Sequence, residues 1–145
     1  MSKSVSPNAA ATATHLTKLL QGNMEQNKLN ALVTALQTPM TTYGPCIATL
    51  LSLVFYTRVQ VGYPAGKNFN GNAGGIAAIP GGTGGGDIYT DDLARLYNDT
   101  VSFTYVAAAV YLGIQFYDAD HILLGHYEGG GAYAPGGGAG TGQWG

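Results

Sequence analysis

His126 and Glu128 are the residues whose types and spacing could support acid–base chemistry in this sequence. They lie two positions apart in a segment that alternates in polarity, so their side chains share one face of a β-strand. Asp118, in a turn shortly before them, is the third candidate for a catalytic group. No recognisable catalytic motif accompanies these residues, and hydrogen-bonded pairs of this kind are more often structural. An enzymatic and a structural role for the pair therefore both stay open.

The sequence predicts no metal site and no nucleotide or other cofactor. His121 and His126 are five residues apart in the predicted strand, so they point to opposite faces and cannot readily bind one metal ion together. The glycine run at 81–86 lacks the lysine and the helix start that a phosphate-binding loop requires. The glycines of the predicted strands are better explained by bends and close approaches within a small barrel.

A set of tyrosines at odd positions of neighbouring strands is the candidate binding surface. Its members are Tyr105, Tyr111, Tyr117, Tyr127 and Tyr133. The predicted strand Val110 to Tyr117 has an apolar face formed by its even positions, which leaves Tyr111 and Tyr117 on the opposite face. Tyrosine suits an exposed contact surface because its ring adds apolar area and its hydroxyl tolerates water. The alternative is that these tyrosines simply cover a sheet that is poor in charge.

Composition excludes several classes of function. A formal net charge of −2 with only six Lys and Arg residues provides no basic surface for nucleic acid. The longest apolar run, Ile47 to Tyr56, is shorter than the roughly 20 residues of a membrane-spanning helix. The lone cysteine, Cys46, cannot form an intramolecular disulfide and is expected in the core. No apolar segment follows Lys3, so no secretory signal is visible and we expect a cytoplasmic protein, or a secreted one if a leader was removed.

The first 41 residues are predicted to form a separate tail and helical segment. Residues 1 to about 13 contain few large apolar side chains and are expected to be a frayed tail. Thr14 to Gln21 is predicted as a short helix that ends at Gly22. A second helix is predicted from a cap at Asn23, with an apolar stripe at 29, 32, 33 and 36.

From Tyr43 onward, within the predicted domain 42–145, the apolar residues repeat with a period of two, which is typical of β-strands. About eight strands are predicted, separated by turn residues, and their spacing favours a sandwich or a closed barrel. The segments after the first long strand are Lys67 to Gly71, Ala73 to Ile79, Asp87 to Tyr89, Val101 to Val106, Val110 to Tyr117, Ile122 to Glu128 and a stretch around Ala132 to Tyr133 and Gly142 to Trp144. Between them, Thr90 is predicted to cap a short helix that braces one end of the barrel.

Several of these segments resemble the virulence-associated (Vap) proteins of rhodococci over roughly residues 43 to 145. The segments are Phe69 to Gly75, Ile79 to Gly82, Gly86 to Phe103, Phe116 to Asp118 and Leu123 to His126. The resemblance implies a compact all-β fold, an eight-stranded antiparallel β-barrel of Greek-key type with one short helix. It also implies an association with survival in host phagosomes and with lipid or membrane effects, without a defined catalytic site.

The sequence leads to two main hypotheses. The first is a Vap-like binding module at residues 42–145 that engages a lipid or membrane surface, a host factor or an apolar small molecule. The second is a cytosolic, cofactor-free isomerase or cyclase that positions a flexible apolar metabolite inside the barrel. A purely structural or protein-binding module is the third possibility. Whether the barrel holds a ligand or is filled by its own side chains separates the first two.

Overall fold

The computed structural model describes residues 3–22, 24–52, 56–74, 81–133 and 135–145. Within these ranges the chain forms three helices, α1 Ala9–Leu20, α2 Gln26–Leu36 and α3 Leu93–Asp99. The strands are β1 Lys3–Ser4, β2 Met40–Ser52, β3 Tyr56–Gly62, β4 Asn68–Gly74, β5 Gly82–Tyr89, β6 Ser102–Ala108, β7 Tyr111–Tyr117, β8 Leu123–Ala132 and β9 Gly136–Trp144. The predicted class, all-β with a helical N-terminal segment, is confirmed.

Eight antiparallel strands close into a barrel because β2 pairs with both β3 and β5. Around the barrel the order is β5, β2, β3, β4, β9, β6, β7, β8, after which β8 pairs with β5. The consecutive strands β2, β3 and β4 are neighbours, and β5 lies beside β2. In the same way β6, β7 and β8 are neighbours, and β9 lies beside β6. This is the Greek-key order, and it occurs twice, as 5-2-3-4 and as 9-6-7-8.

The barrel interior is filled by a continuous cluster of buried side chains. Phe69 lies at its centre, with ring centroids 5.4 Å from Phe103, 4.9 Å from Phe116 and 5.4 Å from Trp144. Alternation predicts that Leu112, Ile114 and Phe116 of β7 face the core, and all three are fully buried. Val110, predicted to belong to the same face, lies in the preceding turn and is 72% exposed. Cys46 is in the same cluster and is 1% exposed, as predicted.

The glycine run is a strand and not a loop. Prediction placed a strand only at Asp87 to Tyr89, but β5 begins at Gly82 and pairs with β2 on one side and β8 on the other. A Cβ atom on Gly82 would lie 2.9 Å from the Tyr133 ring, and one on Gly84 would lie 2.8 Å from its hydroxyl. The glycines therefore leave the interior volume that the tyrosine ring occupies. β9 is also longer than predicted, and the predicted strand Ala73 to Ile79 lies largely outside the described residues.

The N-terminal segment is folded against the barrel. The expected frayed tail is wrong, because β1 pairs with β2 and α1 starts at Ala9. The apolar stripe of α2 is confirmed in a second core cluster, which joins α1 and α2 to the outer face of the barrel. Its members are Ala13, Leu16, Leu20, Leu29, Leu32, Leu36, Val106 and Tyr117. The predicted cap, Asn23, lies outside the described residues, and α2 begins three residues later at Gln26.

The short helix α3 closes one end of the barrel. Its cap is Asp92, whose carboxylate accepts a hydrogen bond from the Arg95 backbone N–H at 3.0 Å. The predicted cap, Thr90, instead donates its hydroxyl to the Leu124 carbonyl at 2.7 Å and so ties the loop to β8. Leu96 inserts into the interior cluster and is fully buried, which confirms that α3 braces the barrel.

Candidate functional site

His126 and Glu128 form a buried hydrogen-bonded pair on the outer face of β8. The His126 Nδ1 atom lies 2.8 Å from Glu128 Oε2, and the residues are 1% and 3% exposed. The Thr12 hydroxyl of α1 donates a hydrogen bond of 2.6 Å to the other carboxylate oxygen, Oε1. The structure thus brings the two side chains to one face, as their spacing predicts. Their use in catalysis stays a prediction.

Gly113 of β7 allows α1 to approach the sheet closely enough for this contact. It lies opposite Glu128 in the strand register. A Cβ atom at position 113 would lie 2.9 Å from both Thr12 Oγ1 and Glu128 Oε1, closer than real side-chain contacts allow. The absence of a side chain at this position is therefore a condition for docking α1 on the sheet.

A row of polar side chains continues this buried layer across four strands. In register order the row is Thr104 of β6, Gln115 of β7, His126 of β8 and Tyr89 of β5. The Thr104 hydroxyl donates to Gln115 Oε1 at 2.7 Å, so it accepts the 2.7 Å hydrogen bond that joins it to the Tyr117 hydroxyl. The His126 ring stacks on Tyr89 with centroids 5.2 Å apart and planes 20° apart. These contacts fix the side chains of an outer barrel face.

Asp118 is not part of this layer. It lies in the turn before β8, where its Oδ1 atom accepts two backbone N–H bonds within the turn. Its Oδ2 atom lies 3.2 Å from Arg95 Nη2, which links the turn to α3. His126 and Glu128 are hydrogen-bonded to each other, and Glu128 is also bonded to Thr12 of α1. The three predicted catalytic candidates are therefore not gathered into one site.

The predicted tyrosine surface is not exposed. The five tyrosines are all buried, and none exceeds 8% exposure. Tyr105, Tyr127 and Tyr133 belong to the interior cluster, whereas Tyr111 and Tyr117 lie on the outer face of β7 beneath the N-terminal segment. Burial raises the pKa of the Tyr117 and Tyr127 hydroxyls. Alternation placed Tyr111 and Tyr117 on the correct face, but the prediction treated the segment that covers this face as separate.

An apolar cleft lies between the helix pair, which we define as α1 and α2, and the outer face of the barrel. Its volume is about 620 Å³. Leu20 at the end of α1 and Met24 in the connection to α2 line one side of it, and Tyr117 and Ala139 line it from β7 and β9. The surface of this cleft is mostly apolar. A pocket of this size and lining is suited to a small molecule or to the apolar chain of a larger one.

Polar groups stand at the rim of the cleft. Glu25 directly precedes α2, Lys28 belongs to α2, and His121 comes from the turn before β8. Lys28 and His121 also line a smaller cavity of about 270 Å³ on the neighbouring side of α2. The sequence pattern missed this site because its residues come from helices, strands and a turn that only the docking of the helix pair brings together.

The space inside the barrel, where the isomerase hypothesis places its substrate, is occupied by aromatic and aliphatic side chains. Among the described residues, no group of three or more His, Cys, Asp or Glu side chains could hold a metal ion. No helix in the described part of the chain has the length and apolar character needed to cross a membrane. Among the described residues, the cleft combines the size and the apolar lining that a ligand site requires.

Comparison with known proteins shows similarity along the whole described chain. The family model described as Rhodococcus equi virulence-associated protein matches residues 2–145. The solved structure of virulence-associated protein VapB from Rhodococcus equi is 39% identical with a TM-score of 0.65, and the match covers 72% of this chain and 96% of VapB. VapD from the same organism is 38% identical with a TM-score of 0.67, covering 72% of this chain and 97% of VapD. No curated protein matches the chain.

Proposed function

This chain belongs to the Rhodococcus equi virulence-associated protein family, and we propose that it binds an amphipathic molecule whose apolar chain lies in the cleft. The observation that supports this proposal is the cleft of about 620 Å³ between the helix pair and the barrel. The volume falls within the roughly 300–1,000 Å³ typical of ligand pockets. The apolar lining supplies the driving force, since each buried methylene group contributes about 0.8 kcal/mol.

The rim favours a ligand with one polar end. Lys28 and His121 can meet an anionic or hydroxylated head group, while Glu25 can accept hydrogen bonds from one. The ligand would therefore lie with its chain against Leu20 and Ala139 and its polar end outside the apolar part of the cleft. A lipid remains the expected class of partner, but it is held between two parts of the chain and not by a tyrosine surface.

A fluorescent fatty acid tests the proposal directly. We expect 11-(dansylamino)undecanoic acid to bind saturably, with increased and blue-shifted emission, because its chain enters the apolar cleft. The variant Ala139→Phe places a ring in the cleft from an exposed position of β9. It should weaken binding roughly tenfold or more, which corresponds to about 1.4 kcal/mol.

The matched control is Ala94→Phe, which adds the same ring at an exposed position of α3, outside the cleft. It should bind the probe like the wild type. Far-UV circular dichroism and urea unfolding establish that both variants are folded. Absence of saturable binding by the wild type, or equal affinities of the wild type and Ala139→Phe, would contradict the proposal.

A further inference from the structure

A second groove adjoins the cleft on the barrel surface. Its volume is about 380 Å³, and its polar lining includes Asn70 and Asn72 of β4 and Thr141 and Gln143 of β9. We call it the amide groove. Thr141 also lines the apolar cleft, and it pairs in register with Ser102, another residue of the cleft. The two cavities are therefore adjacent at Thr141, and an elongated ligand that crosses this residue would reach both.

The amide groove is a regular arrangement of uncharged hydrogen-bonding groups. Register places Gln60 of β3, Asn70 of β4 and Gln143 of β9 in one row across three strands. Gln60 Nε2 donates to Asn70 Oδ1 at 2.9 Å, which orients the Asn70 amide and leaves its N–H groups available. In the part of the chain that the structure describes, the exposed side chains of Gln143 and Thr141 make no hydrogen bond to protein groups. The groove thus presents free donors and acceptors side by side.

The charge of this face favours a neutral ligand. A parallel row joins Arg58 of β3, Asn72 and Thr141, and Arg58 at its far end is the charged residue of the two rows. A phosphate or carboxylate head group would be expected to have several cationic partners. Hydroxyl groups instead both donate and accept hydrogen bonds, as amides do. Val101, 46% exposed at the same groove, supplies an apolar contact beside the amides.

From this combination we infer that the amide groove binds a glycosyl head group, so that the ligand of the cleft is a glycolipid. A sugar ring carries hydroxyl groups on its edge and C–H groups on its faces, which matches the amides and Val101. The inference rests on the proposed function, because it takes the apolar chain of the same ligand to lie in the cleft across Thr141.

Two detergents with the same chain distinguish the inference from the proposed function. Dodecyl maltoside and octaethylene glycol monododecyl ether share a twelve-carbon chain and are both uncharged, but only the maltoside has sugar hydroxyls. Each is titrated below its critical micelle concentration against protein that carries the dansyl fatty acid. We expect the maltoside to displace the probe with an affinity roughly tenfold higher than that of the polyether.

The variant pair Asn70→Ala with Asn72→Ala removes two amides from the groove without touching the cleft. It should abolish the preference for the maltoside and leave polyether binding unchanged. The control pair Gln26→Ala with Asn30→Ala removes a comparable exposed amide pair on α2, joined by a 2.8 Å hydrogen bond. It should keep the full preference for the sugar head group.

Each remaining outcome has a definite meaning. Equal affinities of the wild type for both detergents, or an unchanged preference in the Asn70 and Asn72 variant, would overturn the glycolipid inference while the proposed function stands. Failure of both detergents and of the fatty acid to bind would overturn the proposed function as well. Side-chain amide NMR signals of Asn70 and Gln143 that shift with the maltoside, but not with the polyether, would support the head-group site independently.

Discussion

The burial of Glu128 beneath α1 is stabilised by hydrogen bonds to both oxygens of its carboxylate. A carboxyl group buried to this extent is costly unless its oxygens find partners. Thr12 binds Oε1 and His126 binds Oε2, so each oxygen has one partner. The pair is therefore explained as a polar docking point for α1, which would have to move away before either residue met a substrate.

Thr12→Val tests this docking role by removing the hydroxyl with little change in shape. We expect the free energy of unfolding to fall by about 1–3 kcal/mol, because Glu128 Oε1 is left buried without a partner. Thr14→Val is the matched control on the same helix, since the Thr14 hydroxyl is exposed and bonds only to the Ala10 carbonyl. Urea unfolding measures both variants. Equal losses of stability would contradict the docking role.

Cys46 gives the fold a defined sensitivity to alkaline pH. Burial raises the pKa of its thiol from 9.0 to about 11. The stability that comes from burying the neutral thiol is complete below pH 9 and is lost as the pH rises through 11. We therefore expect the stability advantage of the wild type over Cys46→Ala to narrow between pH 8 and 11, by at most about 3 kcal/mol. A constant difference in urea unfolding across this range would contradict the assignment.

Strands in which apolar and polar residues alternate strongly were predictable from the sequence. Elements made mostly of glycine, alanine or threonine were not, because they carry no hydrophobic pattern. β7 follows a period of two, and its even positions face the interior as alternation predicts. β5 is half glycine, so no hydrophobic pattern marks it, and only its pairing with β2 and β8 defines it as a strand. The start of α1 consists of alanine and threonine, small residues whose burial depends on the barrel face beneath them.

The candidate site was predictable only in part. The spacing of His126 and Glu128 places both on one face, but their partner Thr12 is more than a hundred residues away in the sequence. The exposure predicted for Tyr111 and Tyr117 is wrong for a related reason, whereas the role of the five tyrosines in binding stays a prediction. Tyr117 is amphipathic, so the sequence pattern predicts it to be exposed. In the structure the helix pair, which the sequence predicts to be a separate segment, covers it.

At the scale of the molecule, the described residues form two cores that share the wall of the barrel. The interior cluster needs no residue from α1 or α2, whereas the second cluster needs both helices and the barrel residues Val106 and Tyr117. The matches to VapB and VapD cover 72% of this chain, about the share that residues 42–145 occupy, and nearly all of those proteins. A barrel without the helix pair is therefore expected to fold.

A chain that begins at Thr41 tests this expectation. We expect cooperative urea unfolding with a β-type circular dichroism spectrum, but at lower denaturant than the full chain, because Val106 and Tyr117 lose their apolar cover. The same truncation should abolish binding of the dansyl fatty acid, since one wall of the cleft is gone. An unfolded or insoluble product would show that α1 and α2 are part of the barrel core.

The position of Trp144 determines which part of the protein its fluorescence reports on. It is the single tryptophan of the sequence, and its ring packs between Phe69 and Phe116 of the interior and Tyr97 of α3. Its intrinsic emission therefore senses the barrel end that α3 closes and not the face beneath the helix pair. A molecule whose helix pair has detached should keep the blue emission of a native indole, so this signal can look native while the ligand site is lost.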